Sequence, residues 1–190
     1  MRSEVTGLIL AGGQSRRFGT DKALAEVDGE PMIARVYAAL APLCTELLVS
    51  VDRPERTYPL PGSARFVVDT IPDAGPLAGL HGGLSAARAP AVLVLACDLP
   101  FLTTDTLTHL LNAVTEETEA LVAEAEGRTQ PLCAVYARRV LPTVERQLTD
   151  GTYAMHTLLD RLTVRTVTVP AKALHNVNTP ADVPDSAQYL

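Results

Sequence analysis

A chain of 190 residues can bury one substantial α/β core and is too short for two ordinary domains. With 47% hydrophobic and 20% charged residues its composition is globular, which excludes general disorder. The formal charge of -6 argues against a nucleic-acid or membrane surface, since both attract a basic face; a polyanion could still bind where a few Lys and Arg converge with a metal. Cys44, Cys97 and Cys133 are too dispersed for a disulfide framework or a zinc knuckle and read as reduced, mostly buried thiols. No charged leader precedes the first apolar run, which falls far below the roughly 20 residues that cross a bilayer, so a cytoplasmic protein is expected.

Strands and helices alternate along the chain. Val5 to Leu10 is a short apolar run closing on Ala11-Gly12-Gly13, a buried strand feeding a glycine loop. Pro31 to Leu40 carries Met32, Ile33, Val36, Tyr37 and Leu40 at helical spacing, with Pro31 suited to a first turn. Glu46 to Val51 and Arg65 to Val68 read as the second and third strands. Leu77 to Arg88 reads as a helix whose Gly79, Gly82 and Gly83 point to close packing or to ligand approach at its start. Ala91 to Ala96 is apolar at every position, as in a central strand covered on both faces, and Thr103 to Val114 follows as a helix. Ala120 to Ala125 and Leu132 to Ala137 flank the polar turn Glu126-Gly127-Arg128, a hairpin spacing that predicts a mixed sheet. Val140 to Leu148 reads as a helix and Val164 to Val169 as a last strand. One α/β domain over residues 1–190 is expected.

The segment Leu10-Ala-Gly-Gly-Gln-Ser-Arg-Arg-Phe-Gly-Thr-Asp-Lys22 carries the most chemistry. Glycines at a strand's C-terminal end let backbone N–H groups approach phosphate without Cβ interference. Arg16, Arg17 and Lys22 add positive charge suited to a triphosphate. The spacing matches neither a Walker A loop nor the Gly-x-Gly-x-x-Gly dinucleotide fingerprint. A flexible turn with solvated basic residues is the plain alternative.

Asp98, in Cys97-Asp98-Leu99-Pro100, closes the all-apolar strand where open α/β sheets place their ligands, and a hard carboxylate there can hold Mg²⁺ with phosphate oxygens. It could instead cap the next helix, although Thr103 and Thr104 lie closer to that helix. Asp69 ends the preceding strand in a similar way and could equally cap a turn. Gly75-Pro-Leu-Ala-Gly-Leu80 frames a helix start. In His175-Asn-Val-Asn-Thr-Pro-Ala-Asp182, Thr179, Pro180 and Asp182 suit an N-cap, first turn and third position. Asn176 and Asn178 alternate, so on an extended segment they point the same way, with amides able to contact a polar heterocycle or phosphate; a turn role is the alternative.

Taken in order, these motifs resemble nucleotidyltransferases with a Rossmann-like fold, and the Leu-Ala-Gly-Gly-x-Ser-x-Arg-x-Gly-x-Asp-Lys string is most similar to the molybdenum cofactor guanylyltransferase family. Related cytidylyltransferases usually show Ala-Ala-Gly where this chain has Ala11-Gly12-Gly13. The resemblance runs from Leu10 to Asp182 and implies a three-layer α/β fold with a mixed, mostly parallel central sheet. It also implies transfer of GMP from GTP to the phosphate of molybdopterin or molybdenum-molybdopterin, with Mg²⁺ as cofactor.

By the same resemblance Leu10, Ala11, Gly12, Gly13, Lys22, Ser50, Asp69 and Asp98 bind nucleotide, and Asp98 holds the metal. Arg16, Lys22 and Asp98 serve catalysis, with Arg17 as a substitute for Arg16, while Asn176 and Asn178 face the acceptor. Gln130-Pro131 and Tyr136 match a substrate-facing strand, and His156 stands where the family has a basic residue. Pro184 should shorten the final helix. Implied protein partners are molybdenum insertion proteins and molybdoenzyme chaperones. The alternatives are a cytidylyltransferase, another nucleotidyltransferase on a phosphorylated acceptor, or a non-catalytic GTP-binding adaptor. A sugar-1-phosphate pyrophosphorylase would need a longer chain.

Overall fold

The computed structural model describes residues 4–12, 21–69, 71 and 73–182. β1 (Val5–Leu10) is buried at every position. A two-residue hairpin, β2 (Glu26–Val27) and β3 (Glu30–Pro31), leads into α1 (Met32–Leu40), followed by β4 (Glu46–Val51) and β5 (Arg65–Val68). Next come α2 (Pro76–Ala86), the fully buried β6 (Ala91–Ala96) and α3 (Thr104–Asn112). The hairpin β7 (Ala120–Ala125) and β8 (Arg128–Ala137), then α4 (Leu141–Thr149), α5 (Met155–Leu159) and β9 (Val164–Thr168), complete the regular elements.

Seven strands form one sheet in the order β5-β4-β1-β6-β8-β7-β9. β5, β4, β1 and β6 pair in parallel, β8 is antiparallel to β6 and to β7, and β9 is parallel to β7, so β8 alone runs against the rest. The mixed sheet follows from the hairpin: Glu126 (φ 53°) and Gly127 (φ 72°) both take the left-handed conformation that matches the twist of the strands they join.

Period-two alternation sends β1 side chains to two cores. Val5 and Ile9 pack with Ile33, Val36 and Leu40 of α1 and Leu107 and Leu110 of α3. Leu8 and Leu10 pack with Leu77, Leu80 and Leu84 of α2, Val144 and Leu148 of α4 and Leu158 of α5. The result is three layers, helices on both faces of the sheet. The glycines of α2 serve that packing. A Cβ on Gly83 would overlap Leu8 Cδ2, and one on Gly79 would stand 2.6 Å from Ser50 Oγ, so the helix backbone lies directly on β1 and β4.

All seven expected strands are present, with corrections at their ends. Pro31 precedes α1 in extended conformation because β3 claims it by pairing with Glu26. β8 begins at Arg128, four residues before its apolar part, since its polar start pairs with Ala123 to Ala125 at the edge of the core. Pro131, which has no N–H to give a ladder, lies in the register shift between Val122 and Ala123. The β2–β3 hairpin and α5 were not foreseen; both are too short to carry a hydrophobic period. No helix among the described residues is long and apolar enough to cross a membrane.

Candidate active site

β1, β4, β5 and β6 all end on one edge of the sheet, and the chemistry-bearing residues collect there. Cys97 N donates to the Leu10 carbonyl (3.1 Å) and Ala11 N to that of Ser50 (3.0 Å), so the parallel pairing continues past the strand ends and fixes the backbone of Asp98 and Gly12. On one side Asp69 N donates to the Val51 carbonyl (2.8 Å), and Asp69 Oδ1 accepts from Ser50 Oγ at 2.5 Å. Ser50 is 1% exposed, so its hydroxyl supports Asp69 from below. Asp69 Oδ2 lies 3.0 Å from where a Cβ on Gly12 would stand, which explains a glycine there. Burial raises the Asp69 carboxyl above its ordinary 3.8; the Ser50 hydrogen bond opposes the shift and the charge of Asp52 adds to it.

At the centre stands Asp98. It does not cap α3, because Thr103 is the N-cap and its hydroxyl accepts from Thr106 N at 3.2 Å. Its carboxylate instead receives Lys22 Nζ on Oδ2 at 2.6 Å and Asn176 Nδ2 on Oδ1 at 2.9 Å. Lys22 Nζ also donates to Asn178 Oδ1 at 2.7 Å. Gln130 Nε2 donates to Asn176 Oδ1 (3.1 Å), and Gln130 Oε1 accepts from Leu132 N (3.3 Å). The amide orientations follow from the two ends of this chain. A carboxylate only accepts and a backbone N–H only donates, so Asn176 and Gln130 must both point their N–H groups toward Asp98.

The Asn-x-Asn spacing has a packing reason as well. Val177 is fully buried with Met32 and Val27, in a small cluster apart from the two main cores. Val177 N donates to the Asp98 carbonyl at 3.0 Å. With Val177 anchored below, an extended backbone turns Asn176 and Asn178 to the opposite side, toward Asp98 and Lys22. Pro180–Asp182 is a 3₁₀ turn at the end of the described residues. Asp182 Oδ2 accepts from Asn178 N (2.8 Å) and Thr179 N (2.7 Å), and these bonds hold its carboxyl below the ordinary range, the Asn178 bond foremost.

The structure therefore brings Lys22, Asp98, Asn176 and Asn178 together, with Leu10, Ala11, Gly12, Ser50 and Asp69 beside them on the same strand edge. Gly13, Arg16, Arg17 and Pro184 lie outside the described residues. Tyr136, matched to a substrate-facing strand, is fully buried with its hydroxyl donated to the Pro131 carbonyl at 2.9 Å, because its position in β8 points into the core. His156 is exposed on α5. Val177 was missed, although an apolar residue between two Asn residues is a readable sign of an alternating segment. The thiols are free; Cys133 is buried, Cys44 and Cys97 are half-buried, and burial pushes all three up to about 12.

Comparison with known proteins shows the family of the chain. The sequence profile of the MobA-like NTP transferase domain matches residues 7–167. The molybdenum cofactor guanylyltransferase of Pseudomonas putida is 38% identical over 183 residues, 94% of this chain and 95% of the relative. That of Desulfosudis oleivorans is 36% identical over 164 residues, 86% of this chain and 80% of the relative. The crystal structure of molybdopterin-guanine dinucleotide biosynthesis protein A from Archaeoglobus fulgidus superposes with a TM-score of 0.79 over 94% of both chains, at 24% identity, a likeness of fold.

Proposed function

Because the chain belongs to the MobA-like NTP transferase family, we propose that it transfers GMP from GTP to the terminal phosphate of molybdopterin, with or without bound molybdenum, in the cytoplasm. The observation that carries this reading is the convergence of Lys22, Asp98, Asn176 and Asn178, from three distant segments, on the strand edge where α/β sheets bind ligands.

An oxygen of the acceptor phosphate attacks the α-phosphorus of GTP; the bond to the bridging oxygen breaks, and pyrophosphate leaves with the electron pair. A phosphate monoester is largely ionised near neutral pH, with a second pKa of about 6, so no general base is needed. Rate enhancement then rests on alignment and on neutralising charge over the reacting oxygens. Lys22 exchanges its bond with Asp98 for triphosphate oxygens. The N–H groups of the glycine loop cradle the phosphates, Ser50 holds Asp69 toward the nucleotide, and Arg16 stabilises the departing pyrophosphate. Asn176 and Asn178 offer amides to the acceptor.

Asp98 offers one carboxylate at the strand edge, and among the described residues no group of three His, Cys, Asp or Glu is placed to hold a metal. That fits Mg²⁺, which takes one or two carboxylates and fills its remaining positions with water and phosphate oxygens. Bound at Asp98, Mg²⁺ would supply positive charge against the triphosphate.

The test is pyrophosphate release with Mg²⁺ from GTP, CTP or ATP, with and without molybdopterin. Release from GTP alone, dependent on the acceptor, supports the proposal. Release from CTP would move the chain to the cytidylyl branch. GTP binding without release, given an active acceptor, would favour a non-catalytic adaptor.

A further inference from the structure

The segment after β4 carries no periodicity and no motif, yet it reaches both flanks of the glycine loop. Tyr58 is 6% exposed, and its hydroxyl lies 3.2 Å from the Ala11 carbonyl and 3.1 Å from Asp21 Oδ2. Two residues ten apart in sequence are thus tied to one phenol, which shares its proton between two acceptors. Arg56, its side chain 9% exposed, makes the same bridge: Nη1 donates to the Ala11 carbonyl at 3.4 Å, and Nε pairs with Asp21 Oδ2 at 3.5 Å. Asp52 Oδ1 adds a second carboxylate to the guanidinium at 3.1 Å, the kind of pairing a charge buried to this degree requires. Burial, followed by the charge of Asp21, pushes the Tyr58 hydroxyl above its ordinary range, so it stays a donor at neutral pH.

Asp21 links this bridge to the reacting groups. Its Oδ1 accepts from Ala23 N at 3.1 Å and caps the 3₁₀ turn Lys22–Leu24, while Oδ2 faces Tyr58 and Arg56. The carboxylate is held from one side and sets the turn that aims Lys22 from the other. A Lys22 turn already held by Asp21 need not be ordered when phosphate binds.

We propose that Tyr58 and Arg56 are positioning residues that clamp Ala11 to Asp21, so that the turn carrying Lys22 is held in place for the phosphate chain of the nucleotide. The inference deepens the nucleotide-site reading above and rests on it. Neither residue touches the nucleotide; each acts through Ala11 and Asp21. The role is therefore specific to phosphates and absent from base or ribose recognition.

The test measures dissociation constants for GTP, GDP and GMP with Mg²⁺ in wild type, Tyr58→Phe, Asp21→Asn and the double variant. Tyr58→Phe keeps the ring against Phe66, whose centroid lies 6.4 Å away, and removes only the hydroxyl. The single variants should weaken GTP about three- to tenfold, the size of one lost hydrogen bond, and GMP less than twofold. The double variant should fall well short of the product of the two effects, because both substitutions break one contact. Equal losses for all three nucleotides, or none, with native thermal midpoints, would overturn the clamp; so would multiplicative effects in the double variant. A wild type that binds no guanine nucleotide would overturn the nucleotide-site reading itself, and the clamp with it.

Discussion

On the side of the strand edge that carries Ser50 and Asp69, the contacts are local or built into the sheet. Ser50 lies near the end of β4, Asp69 follows β5, Gly12 continues β1, and backbone bonds between adjacent strands set all three. At the centre the contacts join side chains 46 to 156 residues apart: Gln130 to Asn176, Lys22 to Asp98, Asn176 to Asp98, Lys22 to Asn178. The first arrangement is fixed by folding, because its groups lie inside a ladder that must form anyway. The second is a set of polar groups bonded to one another, and a bond between polar groups is the kind a polar ligand can replace at small net cost. The Ser50–Asp69 side is a platform, and the centre is where a polar ligand can replace existing bonds.

Substitutions can break that contrast, and the largest effect belongs to the centre. Asp98→Ala should lower turnover by about a thousandfold or more, several kcal/mol of barrier, with a near-native thermal midpoint. Lys22→Ala should cost about 2–4 kcal/mol of barrier, read as kcat/KM for GTP, again with little change in stability.

The platform behaves differently. Asp69→Asn keeps an oxygen for Ser50 and should weaken nucleotide binding about tenfold by calorimetry, as for a lost hydrogen bond to a charged group. Its thermal midpoint at pH 7 should hold or rise. The raised pKa means the folded state takes up a proton more readily than the unfolded state, so Asp69 adds stability as pH falls between the raised value and 3.8. That gain is lost as pH rises through the raised value, and at neutral pH the buried charge opposes folding. Gly83→Ala tests the support beneath. Its Cβ would overlap Leu8, so stability should fall by about 1–3 kcal/mol in denaturant melts while KM for GTP stays unchanged. A Gly83→Ala variant that lost nucleotide affinity but no stability would erase the distinction between platform and centre.

The same contrast explains what could be read from the sequence. β1 and β6 are apolar runs that announce buried strands, and Asp69 and Asp98 are visible as carboxylates closing β5 and β6. The hairpin was legible from Glu126-Gly127, though not the polar start of β8, because pairing there is decided by Ala123 to Ala125 and not by burial. Asn176 and Asn178 were legible as a pair facing one way. Their bonds to Asp98 and Lys22 were not, since no local pattern encodes a contact across most of the chain. Tyr58 and Arg56 left no signal at all: a polar segment without period reads as a loop until the fold sets it beside Ala11 and Asp21.

The most direct measurement follows the phosphorus of GTP, using protein, Mg²⁺ and molybdopterin with GTP labelled at the α or the γ position. The α label should enter the acceptor product and the γ label should leave in pyrophosphate, both only when acceptor is present. Release of the γ label as orthophosphate, or no transfer of the α label to an active acceptor, would contradict nucleotidyl transfer at this site.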